Sequence, residues 1–173
     1  GPDNADAILN AFARLATAPN EDGSLATVQP MPFPRFGLWY PGRGMVDAGG
    51  LREIVGSDRP FVPILFYRAA LEGAGTATIE ALIRELESEG LAPVPMLVSS
   101  LKEGPCIRFV QEALRAFPPD CILNLTGFSL GVGELEAAAN PFGGTDAPVI
   151  QLIQSGRAEA QWLADTQGLS PKD

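Results

Sequence analysis

Residues 61–90 read FVPILFYRAALEGAGTATIEALIRELESEG, and the fold follows from this stretch. Pro63 to Phe66 lie in a short, almost wholly apolar run that stops at Tyr67-Arg68. A run of that length and composition is a strand covered on both faces, as at the centre of a parallel sheet. A loop with Gly73 and Gly75 follows, and then Thr76 or Thr78 is placed to cap a helix. Ile79, Leu82, Ile83 and Leu86 recur at i, i+3, i+4 and i+7, which gives that helix one apolar stripe to lay on the sheet. Gly90 ends it, because a residue without Cβ enters the left-handed C′ conformation cheaply. Strand, loop and helix make the first half of a βαβ unit.

The chain downstream repeats the unit. Pro93 to Val98 is a second strand, left by Ser99-Ser100-Leu101-Lys102. Pro105 suits a helix start, where its missing N–H costs nothing, and Ile107, Val110 and Leu114 mark that helix's inner face up to Pro118-Pro119. Cys121 to Leu125 is a third strand, followed by a Gly-rich loop from Thr126 to Gly133 and a short helix over 134–140. After a loop from Pro141 to Pro148, Val149 to Ile153 is a fourth strand with Gln154-Ser155-Gly156 as its exit. A last helix spans Arg157 to Thr166, stopped by Gly168.

Upstream, Asp47 to Val55 forms one or two helical turns with Leu51, Ile54 and Val55 inward, and Arg35 to Tyr40 is a short strand closed by the turn Pro41–Gly44. Pro19 to Pro34 has little periodicity and reads as a linker or wrapping arm. Asp3 to Thr17 reads as an amphipathic helix with Ile8, Phe12 and Leu15 on one face. The expected division is residues 1–34 as helix and arm, with Gly1-Pro2 as the remnant of a cleaved tag, and 35–173 as one α/β domain. Strand and helix alternate with short connections, which predicts a three-layer, flavodoxin-like or Rossmann-like sandwich around a mostly parallel sheet of four or five strands. For the four strands from residue 63 onward the simplest order is 2-1-3-4.

Composition narrows the chemistry. The 173 residues are 46% hydrophobic, enough for one domain with a substantial core. No apolar run approaches the ~20 residues of a membrane span, and a basic-then-apolar leader is missing, so a cytoplasmic location is expected. A net charge of −9, with Lys102 and Lys172 the only lysines, leaves no basic stripe for nucleic acid or an anionic membrane. Histidine is absent, which removes Ser-His-Asp and Cys-His catalysis and HExxH zinc sites from this chain. Cys106 and Cys121 form neither a CxxC nor a disulfide framework and read as small core residues. There is no P-loop, and the GxG triplets at 42–44, 73–75 and 131–133 continue to Asp47, Thr78 and Glu136 where a dinucleotide fingerprint needs a third glycine. Glu85, Glu87 and Glu89 read as a solvated helix face, and Trp39-Tyr40-Pro41-Gly42 as a contact surface or as core or interdomain packing.

Open sheets of this kind bind ligands beyond the carboxyl ends of their strands. Those ends carry Tyr67 and Arg68, then Ser99, Ser100 and Lys102, then Thr126, Gly127 and Ser129, and finally Gln154 and Ser155. Hydroxyls, an amide and two cations beside helix N-termini suit an anionic or carboxylate-bearing ligand. The same residue types also cap helices and close tight turns. Both readings stand at this point.

The segments ILFYRAALEGAGTATIEALIRELESEGLAPVPMLVSSLK (64–102), PPDCILNLTGFS (118–129) and DAPVIQLIQSGRAEAQWLADTQGLSP (146–171), preceded by FGLWYPGRG (36–44), resemble the large subunit of aerobic cobaltochelatase, CobN type. The resemblance spans residues 35–173 and rests on order and spacing across several loops. The related magnesium chelatase H subunit shares the LTGF element at Leu125–Phe128, but its Arg-Ser-His after the first strand is here Arg68-Ala69-Ala70. The resemblance implies a piece of a much longer multidomain protein. That protein binds a corrin, hydrogenobyrinic acid a,c-diamide, and Co(II), and works with two smaller subunits, one an AAA+ ATPase that binds the ATP. No cofactor and no catalytic or metal-binding residue is expected in this piece, so the piece alone is expected to be inactive. The alternatives are a porphyrin-binding subunit of the magnesium chelatase H type, a flavodoxin-like module for a small anion, and a domain that only docks its neighbours.

Overall fold

A computed structural model describes residues 2–17, 32–73, 75–127, 140–154 and 159–164. The chain divides into two compact units, Gly1–Pro34 and Arg35–Asp173. In the first, α1 (Pro2–Thr17) leaves Ile8, Leu9 and Phe12 exposed. Most of the expected arm, the expected helix over 134–140 up to residue 139, and the ends of the expected last helix lie outside the described residues.

The second unit is built on a six-stranded sheet. Its strands are β1 (Phe36–Tyr40), β2 (Gly44–Val46), β3 (Phe61–Tyr67), β4 (Ala92–Val98), β5 (Ile122–Asn124) and β6 (Val149–Gln151), in the order β2-β1-β4-β3-β5-β6. β4, β3, β5 and β6 run parallel, and β1 is antiparallel to both β4 and β2. The four parallel strands therefore take the 2-1-3-4 arrangement, with β3 flanked by β4 and β5. The expected count of four or five strands is corrected to six. The added strand is β2, three exposed or half-buried residues that a hairpin folds back on β1. Gly42 and Gly44, at φ of 70° and 73°, make that hairpin possible.

The prolines inside the central strands fall where no ladder is interrupted. β3 pairs with β4 over all seven residues, but its ladder to β5 covers only Ile64 and Leu65, beyond Pro63. Similarly, β1 pairs with Met96 to Val98, beyond Pro93 and Pro95. A missing N–H is harmless at such positions.

The helices are α2 (Ala48–Val55), α3 (Ala69–Glu72), α4 (Ala77–Ser88), α5 (Gly104–Ala116) and α6 (Glu159–Ala164). The crossover from β3 to β4 runs one way along the sheet and that from β4 to β5 runs back over β3. Right-handed connections therefore put α4 and α5 on opposite faces. On one face Leu65, Val94, Met96 and Val98 meet Leu51 and Val55 of α2 and Cys106, Val110 and Leu114 of α5 in a single apolar cluster. Strand alternation turns Ile64, Phe66 and Leu97 to the other face. There Trp39 meets Phe66 edge to face at 6.2 Å, and α4 contributes its fully buried Ile79 and Ile83.

The helix ends follow their sequences. The Asp47 carboxylate accepts from the Gly50 N–H at 2.7 Å and caps α2. Thr76 precedes α4 but makes no side-chain cap, which corrects the expected role of the threonines there. At the other end Gly90, at φ 76°, donates to the Glu87 carbonyl and Leu91 donates to that of Leu86. This pair of bonds is a Schellman closure, as Gly90 predicted.

Candidate functional site

In a 2-1-3-4 arrangement the switch point lies between the two strands whose connections leave in opposite directions, here β3 and β5. The residues that follow them are Tyr67-Arg68 and Leu125-Thr126-Gly127. Ser99 to Lys102 leave β4 on the far side of β3, and Leu152 to Gln154 leave β6 beyond β5. Antiparallel β1 brings Arg35 to the same end, where the Ser99 N–H donates to the Arg35 carbonyl at 2.6 Å.

The individual groups divide into those facing solvent and those used internally. Tyr67, half-buried, closes β3 opposite Val98. The Arg68 N–H donates to the Val98 carbonyl, and its guanidinium pairs with Glu72 one turn along α3 (Nε to Oε1 3.2 Å). This side chain is 30% exposed, so it is held at the switch point with part of its surface open to solvent. Ser99 Oγ lies 3.4 Å from Cys106 Sγ, a partner on α5. Ser100 Oγ accepts from the Lys102 N–H at 3.1 Å and so shapes a turn, over which Leu101 is buried and Lys102 exposed. Gly127 is exposed, and a Cβ at that position meets nothing within 4 Å. Gln154 is exposed at the exit of β6. Ser129 and Ser155 lie outside the described residues.

Thr126 departs from its expected role. It is fully buried, and its hydroxyl donates to Asn124 Oδ1 at 2.7 Å, so its side chain is used internally and is not presented at the strand ends. That bond belongs to a polar group the sequence reading missed. Asn124, 2% exposed at the end of β5, is paired in register with Gln151 of β6. Their side chains bond to each other and to the Thr126 peptide. Asn-Leu-Thr-Gly immediately after an apolar run was the available signal. The partner Gln151 is distant in sequence.

Further charges support the frame. Arg35 pairs with Glu103 just before α5. Tyr40 donates its hydroxyl to Glu87, so this glutamate ties α4 to β1, which corrects its reading as part of a solvated face. Burial, with the bond to Glu87, pushes the Tyr40 hydroxyl well above its ordinary pKa. Both cysteines are free: Cys106 is fully buried, whereas Cys121 is only half-buried. Burial, then the charge of Asp120, raises the Cys121 thiol. Among the described residues no three His, Cys, Asp or Glu side chains converge as a metal site, and no helix is long and apolar enough to cross a membrane.

An open, mostly parallel α/β sheet with helices on both faces defines a domain of the doubly wound α/β class. The chain belongs to the CobN/magnesium chelatase family, whose model matches residues 1–173. It is 34% identical over 181 aligned positions to the aerobic cobaltochelatase subunit CobN of a Sinorhizobium species, covering 100% of this chain and 14% of that one. It is 35% identical over 145 positions to the subunit of the same name from Pseudomonas aeruginosa, covering 84% and 12%. In three dimensions it matches the catalytic subunit of cobaltochelatase from Mycobacterium tuberculosis with a TM-score of 0.62 and 26% identity, over 95% of this chain and 13% of that one. The chain thus spans about one seventh of the length of the curated relatives it matches.

Proposed function

We propose that this chain is a domain of the large, corrin-binding subunit of an ATP-dependent cobaltochelatase. The complete enzyme inserts Co(II) into hydrogenobyrinic acid a,c-diamide in the cytoplasm, during aerobic cobalamin biosynthesis. Two smaller subunits, one an AAA+ ATPase that binds the nucleotide, complete the complex. The observation that carries this reading is the match of the whole chain to relatives named for cobalt chelation. In this assignment the domain lines part of the macrocycle cleft with its strand ends and performs no chemistry alone.

The corrin carries several carboxylates, and the strand-end face offers them Arg68, Lys102 and the open backbone at Gly127. In this reading Ser100 and Gln154 serve as neutral partners. Arg68 is the strongest candidate, because a guanidinium binds a carboxylate through two parallel hydrogen bonds. Its ion pair with Glu72 is an i,i+4 helical pair worth only about 0.3–0.5 kcal/mol.

The test is an absorbance titration of the full-length subunit with hydrogenobyrinic acid a,c-diamide, and with a porphyrin for comparison. Saturable corrin binding, weakened about tenfold or more by Arg68→Ala, is the expected result, since a charge-assisted bond is worth about 1.5–3 kcal/mol. A subunit that prefers the porphyrin belongs to the magnesium branch. A folded subunit that binds neither refutes the reading.

A further inference from the structure

The hydrogen bonds around Thr126 form a closed ring whose polarity is fixed by its chemistry. The Thr126 N–H can only donate, and it points at Asn124 Oδ1 (3.1 Å), which also accepts the Thr126 hydroxyl (2.7 Å). Asn124 Nδ2 is thereby directed to Gln151 Oε1 (2.8 Å). Gln151 Nε2 then faces two carbonyl oxygens, those of Thr126 (2.9 Å) and Leu152 (3.1 Å), which can only accept. Every step is consistent with the inventory of donors and acceptors, so neither amide can flip without placing like groups in contact. The ring begins and ends on the Thr126 peptide and uses its N–H, its carbonyl and its hydroxyl. Backbone bonds complete the tie: the Leu125 N–H donates to Leu65 at 2.8 Å and the Leu152 N–H to Asn124 at 2.9 Å.

A polar ring anchored on buried Asn124 and Thr126 contributes little net stability over apolar residues of the same shape, but it selects a single geometry. The geometry selected here is that of two adjacent strand exits beside the switch point, 125–127 and 152–154. Gly127, the residue immediately after the ring, is open to solvent. We propose that Asn124 and Gln151 are positioning residues that lock these two exits into one rigid lip of the substrate cleft, so that the backbone at Gly127 meets the macrocycle at a fixed place. The proposal rests on the assignment of the strand-end face to the corrin. It gives the amides no contact with substrate, because their bonds run to each other and to the Thr126 and Leu152 backbone.

Steady-state kinetics of the assembled chelatase separate this role from simple structural support. Gln151→Glu keeps the shape and the bond accepted from Asn124, but turns an oxygen toward the Thr126 and Leu152 carbonyls. Gln151 is exposed at the sheet edge, so this variant folds. A displaced lip raises KM for the corrin about tenfold, the equivalent of one lost hydrogen bond, while kcat and the KM values for Co(II) and ATP stay within about threefold. Loss of folded molecules instead lowers the apparent kcat and leaves KM unchanged. Asn124→Asp, which replaces the Nδ2 donor by an acceptor, is the second variant and has the same expected signature. An unchanged corrin KM in both variants overturns the proposal. A wild-type complex that does not use the corrin overturns the functional assignment beneath it, and the two failures are distinct because the wild-type KM is measured first.

Discussion

The same substitution at two glycines has opposite expected effects, and backbone geometry alone decides the sign. Gly90 closes α4 at φ 76°, and a Cβ added there meets nothing within 4 Å. Gly90→Ala therefore has no steric partner, and its cost is that of holding an L-residue in the left-handed region, about 1–2 kcal/mol. Loss of unfolded-chain entropy returns about 0.4–1 kcal/mol of this, so the net is about 1 kcal/mol of destabilisation. Gly127 is equally unobstructed but its φ lies outside the left-handed range. Gly127→Ala retains the entropic gain without the conformational cost and is expected to be neutral to about 1 kcal/mol more stable. Urea denaturation of the two variants beside the parent measures both values. The expected shift in Tm for Gly90→Ala is about 2–4 °C downward. A Gly90→Ala protein within about 0.3 kcal/mol of the parent would refute the Schellman assignment at α4, and a Gly127→Ala protein losing more than about 1 kcal/mol would show that the position is not open.

Two further outcomes follow from the frame around the site. Tyr40→Phe removes the hydroxyl bonded to Glu87 and is expected to cost about 1 kcal/mol in urea denaturation. The Tyr40 hydroxyl is raised above its ordinary value of 10.0 in the folded state, so the unfolded chain ionises first. Wild-type stability at this group is therefore complete below pH 10 and falls as pH rises beyond it, and Tyr40→Phe removes that part of the alkaline decline. Arg52 stands 4.9 Å from the Phe117 ring centroid and 5.6 Å from that of Phe61, and donates to the Ala116 carbonyl. Arg52→Ala is expected to lower stability by about 1 kcal/mol, and Arg52→Lys to recover only part of it, because an ammonium lacks the planar stacking surface.

Much of the architecture was legible because it is local. An apolar run without alternation, as in Pro63 to Phe66, identifies a strand covered on both faces wherever it lies in the chain. The i, i+3, i+4 pattern of α4, the capping Asp47 and the terminating Gly90 act within a few residues of themselves. The order of the four parallel strands matches the simplest arrangement, 2-1-3-4, although right-handed crossovers alone admit other orders. β2 was not legible. Gly-Met-Val carries no periodicity, and its pairing with β1 is stabilised by a hairpin whose two left-handed glycines read equally well as a plain turn.

The candidate site divides along the same line. Local sequence identified which residues end the strands, and hence that Arg68, Lys102 and Gly127 lie at one end of the sheet. It also determined the family resemblance, through segments spread over most of the chain. Long-range packing set which of these groups face solvent and which are used internally. It buried Thr126, tied Arg68 to Glu72, and paired Asn124 with Gln151 across 27 positions of chain. The physical reason is that strand register is a non-local quantity, fixed by the packing of whole faces. A one-residue slip between β5 and β6 would turn Gln151 to the opposite face and leave Asn124 buried without its partner.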